Sequence, residues 1–181
     1  MASPHEKTAG GRLRPVGEED LRELLSWRNH PDVRRFMFTS REIEWEEHCR
    51  WFTRCLAEPG RHLLIYEAGG VDLGFVNLSG VHAGGIAEWG FFLVPGAPRG
   101  SGMRLGAATL DHVFGERHAH KLCGQAIANN DRSIAFHQRL GFRQEGVLRD
   151  QHFDGANYLD VICFGLLAQE LSAAAKEEDD L

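Results

Sequence analysis

The sequence predicts a single α/β (α+β) domain of seven strands and about four helices, on three observations. The chain of 181 residues fits one domain with a sizeable core. Apolar periodicity and turn residues order it as one strand, two helices, three strands, a helix, a strand, a helix and two strands, without repeats or low-complexity inserts. The stretch Glu88 to Gly106 joins an apolar strand to a helix through a glycine-rich turn, and the other segments are organised around it.

Residues 1–10 are polar and expected to be mobile, the domain is expected over 11–171, and 172–181 form an acidic tail. Leu13 to Val16 reads as the first strand. Glu18, Glu19 and Asp20 open a helix with Leu21, Leu24, Leu25 and Arg28 at helical spacing. Pro31 disfavours helical geometry in the residue before it, so Asn29 and His30 are expected in a bend that faces a pocket. Thr39-Ser40-Arg41-Glu42 matches a capping box for a second helix running to about Ala57, with His48, Trp51, Phe52 and Cys55 on its apolar face. On spacing alone, His48 reads as a buried, hydrogen-bonded side chain or as a ligand contact.

His62 to Ala68 and Val71 to Ser79 flank Gly69-Gly70, a two-residue hairpin turn. A fourth strand begins near Ile86 and ends at Pro95. The third helix runs from about Met103 to His118, with Met103, Ala107, Leu110 and Phe114 on its apolar face. Lys121 to Ala128 gives the fifth strand, and Asp131 to Leu140 a helix closed by Gly141. Phe142 to Leu148 and Tyr158 to Leu167 are two further strands joined across Asp154-Gly155.

The formal charge of -6 and pI near 5.9 argue against a broad nucleic-acid footprint, which needs clustered Lys and Arg. No apolar run has membrane-spanning length and Met1 to Lys7 lacks a signal peptide's apolar segment, so a cytoplasmic protein with no membrane partner is expected. Cys49, Cys55, Cys123 and Cys163 form no Cys-x-x-Cys pair, and the ten His show no zinc spacing; free thiols and no metal are expected. Asn77-Leu78-Ser79 matches a glycosylation pattern inside an apolar stretch and reads as accidental.

Two nucleotide motifs fail at the glycine-rich turn. There is no Gly-Lys-Ser/Thr for a P-loop, and Gly100, Gly102 and Gly106 are spaced one residue too widely for the dinucleotide fingerprint. Gly100 and Gly102 still let backbone approach a ligand, and a helix's first-turn N–H groups favour phosphate. An ordinary strand-to-helix turn is the equal alternative.

Two further patterns narrow the choice. Arg99-Gly100-Ser101-Gly102-Met103-Arg104 is similar to a pyrophosphate-binding signature of Arg or Gln, two residues, Gly, one residue, then Gly or Ala, with Arg104 in the last place. Asn130-Asp131-Arg132-Ser133-Ile134-Ala135-Phe136-His137-Gln138-Arg139-Leu140-Gly141-Phe142 is similar to a second signature, Asn-x-x-Ala/Ser-Ile-x-x-Tyr-x-Lys/Arg-Leu-Gly-Phe. With Ala87-Glu88 before Trp89-Gly90-Phe91-Phe92, the chain from Arg12 to Leu171 resembles the GNAT superfamily of acyl-coenzyme A N-acyltransferases.

The resemblance implies one GNAT-like domain with a central mixed, mostly antiparallel seven-stranded sheet splayed at strands 4 and 5. It implies acetyl-CoA as co-substrate, met by Arg99, Gly100, Ser101, Gly102, Met103, Arg104 and Asn130, with backbone N–H groups of Phe92, Leu93 and Val94 at the thioester carbonyl. Glu88 takes the place of the family's general base, and His137 that of the tyrosine that protonates the departing thiolate. Without the family, Glu88 reads as an edge-strand carboxylate.

The N-terminal Leu25 to Val33, Phe36-Met37-Phe38 and His48-Cys49-Arg50-Trp51 resemble the family's amino-sugar nucleotide acetyltransferases of pseudaminic acid biosynthesis. That implies a UDP-linked amino sugar as acceptor, with Arg28, Asn29, Met37, Phe38, His48 and Trp51 as binding residues. A surface arginine beside a core aromatic cluster is the alternative reading of those residues. A protein N-terminus, as in ribosomal-protein acetyltransferases, or coenzyme A sensing without turnover are the alternative functions. A homodimer is left open.

Overall fold

The computed structural model describes residues 11–171; the expectations for 1–10 and 172–181 lie outside the described residues. Seven strands form one sheet: β1 (Arg12–Pro15), β2 (His62–Ala68), β3 (Val71–Ser79), β4 (Ile86–Leu93), β5 (Lys121–Ile127), β6 (Arg143–Phe153) and β7 (Tyr158–Leu167). Their spatial order is β1-β2-β3-β4-β5-β7-β6, and every neighbouring pair is antiparallel except β4 with β5. The expected α/β class, seven strands and mixed sheet are all present.

The β4–β5 junction gives the molecule its shape. It holds only three register pairs, Ile86 with Lys121, Ala87 with Leu122 and Glu88 with Cys123, while β4 stays paired to β3 as far as Leu93. Beyond Glu88 the two strands part. Aromatic rings of the core pack against one face of the opening: Trp89 stacks on Phe142 with centroids 5.4 Å apart, and Phe91 meets Phe136 at 4.7 Å.

Alternation along the strands supplies two cores. On β2, Leu64 and Tyr66 face the cluster that also contains Leu105, Val113 and Phe136, whereas Leu63 and Ile65 face the cluster containing Leu24, Trp27 and Phe52. The first cluster lies under α4 (Ser101–Leu110) and α5 (Asp131–Arg139), the second under α1 (Leu21–Asn29) and α3 (Trp45–Leu56). Arg14 bonds Asp20 at 2.8 Å and Asp72 at 2.7 Å, tying β1 to the turn before α1 and to β3. These bonds hold the Asp20 carboxyl below its ordinary range despite partial burial.

Four expectations need correction. A one-turn helix, α2 (Pro31–Arg34), follows the proline, with His30 as its cap: Asp32 N–H donates to His30 Nδ1 at 3.2 Å. The Thr39-Ser40-Arg41-Glu42 capping box does not form, and α3 starts at Trp45 with Glu44 in extended geometry before it. The cause is Asn29, whose side-chain oxygen accepts Ile43 N–H at 2.8 Å while its amide donates to Ile43 O at 2.9 Å, fixing the segment before α3 as irregular chain. The buried face of α4 carries Leu105, Gly106, Thr109 and Leu110 and continues to Val113, while Ala107 is exposed. Thr109 enters this apolar face because its hydroxyl donates to Leu105 O at 2.8 Å. Finally, β6 runs past Leu148 to Phe153 through irregular register, so its polar Arg149-Asp150-Gln151 concealed the strand.

Asn29→Ala removes both bonds to Ile43, and the unfolding free energy is expected to fall by roughly 1–2 kcal/mol in urea denaturation. Loosening should concentrate in residues 35–44, read by amide hydrogen exchange.

Candidate active site

A cavity of about 1030 Å³ occupies the splay. Its walls are β4 from Glu88 onward, the Val94–Arg99 turn, the first turn of α4, β5 from Cys123 to Ile127, one face of α5 and the Asp32–Phe38 segment. The sequence-predicted Glu88, Phe92, Leu93, Val94, Arg99, Gly100, Gly102, Met103, Asn130, Met37 and Phe38 all line it.

At one end the turn before α4 is shaped for an anion. Gly100 caps the helix at φ 85°, a left-handed geometry that favours glycine. Ser101 N–H goes to Pro98 O and Arg104 N–H to Gly100 O, which leaves the N–H groups of Gly102 and Met103 as first-turn donors without a helical acceptor. Ser101 itself is fully buried, its hydroxyl accepting from Arg104 at 3.3 Å. Arg104 lines a separate groove of about 750 Å³ on the far side of the Val94–Pro98 segment, so it turns away from the splay. Asn130 caps α5, its side-chain oxygen accepting Ser133 N–H at 3.2 Å.

The three backbone N–H groups on β4 are not equivalent. Val94 N–H already donates to Leu73 O at 3.0 Å, and alternation along an antiparallel pair turns Phe92 N–H toward β3 as well. Leu93 N–H is the one that faces the splay.

Glu88 stands at the last β4–β5 register pair and is exposed to the cavity. His137 does not line the cavity. Its ring is 1% exposed, stacked on Phe164 at 4.7 Å and packed edge-on to Trp89 and Phe142. Nδ1 lies 2.8 Å from Ser133 O, and a carbonyl only accepts, so the proton is on Nδ1 and Nε2 is a bare acceptor. Burial lowers its pKa, the Ser133 contact opposing only in part. A neutral imidazole whose one N–H is committed is a poor proton donor, which counts against the acid role expected from the tyrosine position.

Arg28, Asn29, His48 and Trp51 do not line the cavity. Arg28 is half-buried and donates to Thr39 O at 2.8 Å, Asn29 is spent on Ile43, and His48 is 4% exposed and stacked on Trp51 at 5.2 Å. Burial lowers the pKa of both Arg28 and His48. Arg28 and Asn29 tie the chain that follows Phe38 to α1, at Thr39 and Ile43, while Trp51 packs edge-on against Phe75. Residues missed from the sequence include Glu145, Cys123 and Gln125, with Arg132, Ala135, Phe136 and Arg139 on the cavity face of α5. The spacing of Arg132 and Arg139 within the second signature carried that face; the strand residues gave no motif signal. Among the described residues no group of His, Cys, Asp and Glu could hold a metal ion, and no helix is long and apolar enough to cross a membrane.

Gly102→Val should weaken coenzyme A binding at least roughly tenfold by calorimetry, since a Cβ at Gly102 already reaches contact with Leu93 and Phe136 at 3.6 and 3.7 Å. Arg104→Ala should leave that affinity within about threefold, because the guanidinium faces the other groove. For His137, the unfolded chain binds more protons than the folded one below the ordinary imidazole pKa of about 6.5. The stability contributed by the neutral ring is full above that pH and lost as pH falls. Wild-type unfolding free energy should therefore drop between about pH 6.5 and 5 more steeply than that of His137→Phe.

A family model described as "Acetyltransferase (GNAT) domain" matches residues 12–143. Spermidine N(1)-acetyltransferase of Escherichia coli K12 is 27% identical over 154 residues, covering 83% of this chain and 82% of the enzyme. Acetyltransferase PseH of Campylobacter jejuni subsp. jejuni (serotype O:23/36, strain 81-176) is 24% identical over 132 residues, covering 70% of this chain and 79% of that protein. The crystal structure of spermidine N-acetyltransferase from Vibrio cholerae with CoA and spermine shares the fold at a TM-score of 0.83, with 20% identity, 90% of this chain and 98% of that chain covered. The match over most of the chain, on a fold whose splayed strands and helix N-terminus the sequence anticipated, shows that this protein belongs to the GNAT acetyltransferase family and is an acetyl-CoA-dependent N-acetyltransferase.

Proposed function

We propose that the protein transfers acetyl from acetyl-CoA to the primary amine of a UDP-linked amino sugar. The observation that carries the reading is the splay itself: anion-binding donors of α4 stand at one end, Glu88 and the Phe36–Phe38 segment at the other. The donor's pyrophosphate meets Gly102 and Met103 N–H, with Arg99 and Asn130 beside it. Leu93 N–H stabilises the charge that develops on the thioester oxygen. Glu88, directly or through a water, takes the proton that leaves the amine. The departing thiolate is protonated from the amine adduct or water, with His137 a neutral packing residue nearby.

The acceptor end favours an aromatic, anionic substrate. Phe38 is 54% exposed and Phe36 carries the Arg35 guanidinium over its ring at 4.8 Å, an apolar surface with a cation beside it. Asp32 is already paired with Arg35 at 3.5 Å. A polyamine is the second reading, favoured by the similarity to the Escherichia coli spermidine enzyme.

Acetyl-CoA consumption is to be measured against UDP-amino sugars, spermidine and N-terminal peptides. Turnover with the UDP-sugar is expected; turnover with spermidine or a peptide alone would replace the acceptor assignment. Glu88→Gln should keep coenzyme A affinity and lower turnover by about 10²- to 10⁴-fold. His137→Phe should retain turnover and the alkaline side of the pH profile.

A further inference from the structure

We propose that Glu145 is a second carboxylate of the acceptor site, which together with Glu88 holds the incoming amine. The inference rests on amine acetylation and on no choice between sugar and polyamine. Four features place it. Glu88, Cys123 and Gly165 follow one another across β4, β5 and β7 as direct register partners, so all three share one face of the sheet. The register of β6 against β7 breaks between Gln144 and Gly146, and the residue released by that bulge is Glu145. Bulges re-aim side chains beside active sites, and here the Glu145 carboxylate lies over Gly165, in the space a Cβ at that position would occupy. Glu145 also lines the cavity with Glu88 and Cys123.

The Glu145 carboxylate, lying over Gly165 of β7, and Glu88 of β4 thus flank Cys123 of β5 from opposite sides; the Glu88 and Gly165 backbones are two strand spacings, about 10 Å, apart, a span that the Glu88 side chain shortens toward an ammonium group held between the carboxylates. Both charges act on the Cys123 thiol, whose pKa is raised first by burial and also by Glu145 and Glu88. Lys121 bonds Glu145 at 2.7 Å and fixes the direction of its carboxylate. An amine arriving as R–NH3+ is held between the carboxylates. Glu88 takes one proton and leaves a neutral R–NH2; its lone pair forms the C–N bond to the acetyl carbon, the C–S bond breaks, and the second nitrogen proton ends on the thiolate. Glu145 accepts an N–H bond from the amine before and throughout the attack, so it binds the acceptor about equally in the ground and transition states.

Glu145→Gln keeps size and removes charge. With a UDP-linked amino sugar and with spermidine as acceptors, the variant is expected to raise the KM of whichever one wild type acetylates on the order of tenfold, leaving kcat within about threefold and coenzyme A affinity unchanged. In parallel, alkylation of Cys123 by iodoacetamide is followed by peptide mass spectrometry with and without n-butylammonium. The amine should slow alkylation in wild type and not in Glu145→Gln, and the variant's thiol should alkylate faster at a given pH because one repelling carboxylate is gone. An unchanged KM, or equal protection of Cys123 in both proteins, would overturn the proposal. Failure of wild type with both acceptors would sink the proposed acceptor class while the Cys123 experiment still decides the role of Glu145.

Discussion

The structure depends on two neighbouring parallel strands that stay unpaired beyond Glu88. Three register pairs hold β4 to β5, and beyond them Trp89, Phe91, Phe136 and Phe142 pack beneath the opening between the strands. Each parted strand leaves backbone donors and acceptors facing the gap, so a polar ligand with an extended shape finds partners there that a finished sheet would have consumed. The helix N-terminus and Glu88 are useful because this opening lies between them.

The same geometry explains why the chemistry is divided between strands of different character. β4 is paired to β3 from Glu88 to Leu93, and this rigid stretch carries Leu93 N–H and Glu88. β6 is bulged twice and carries Glu145, a residue aimed by irregularity and braced by Lys121. Rigid groups suit the reacting carbonyl, whose position tolerates little error, whereas a salt-bridged side chain adjusts to the amine it meets.

Much of this was legible in the sequence. Strands β2, β3, β4 and β7 carry alternation and turn signals that place them closely, and the two signatures fall on two walls of the cavity. The failures have physical causes. A capping box is a local pattern, and at Thr39 a tertiary contact from Asn29 overrode it. On α4, Met103, Leu110 and Phe114 pack on the core as read, while Ala107 does not; Thr109 and Gly106 share the buried face, one through an internal hydrogen bond and the other through close packing, and neither counts as apolar in a periodicity reading. His137 matched a motif position, but the bond to Ser133 and the surrounding rings decide its protonation, and no spacing encodes those. Glu145 reaches the cavity through a bulge, which breaks the period-two pattern on which strand reading relies.

The Asn29 bracket has a consequence for how such an enzyme diversifies. Residues 35–43 contribute Phe36, Met37 and Phe38 to the cavity, yet none of them belongs to the two buried clusters that stabilise the sheet, and the segment is held mainly by polar contacts, Asn29 at Ile43, Arg28 at Thr39 and Arg41 with Glu47. A stretch so attached accepts substitutions and changes of length at little cost to the rest of the fold, because no core packing has to be rebuilt around it. That wall of the cavity can therefore be rewritten over some nine residues while β4, the turn before α4 and α5 stay as they are.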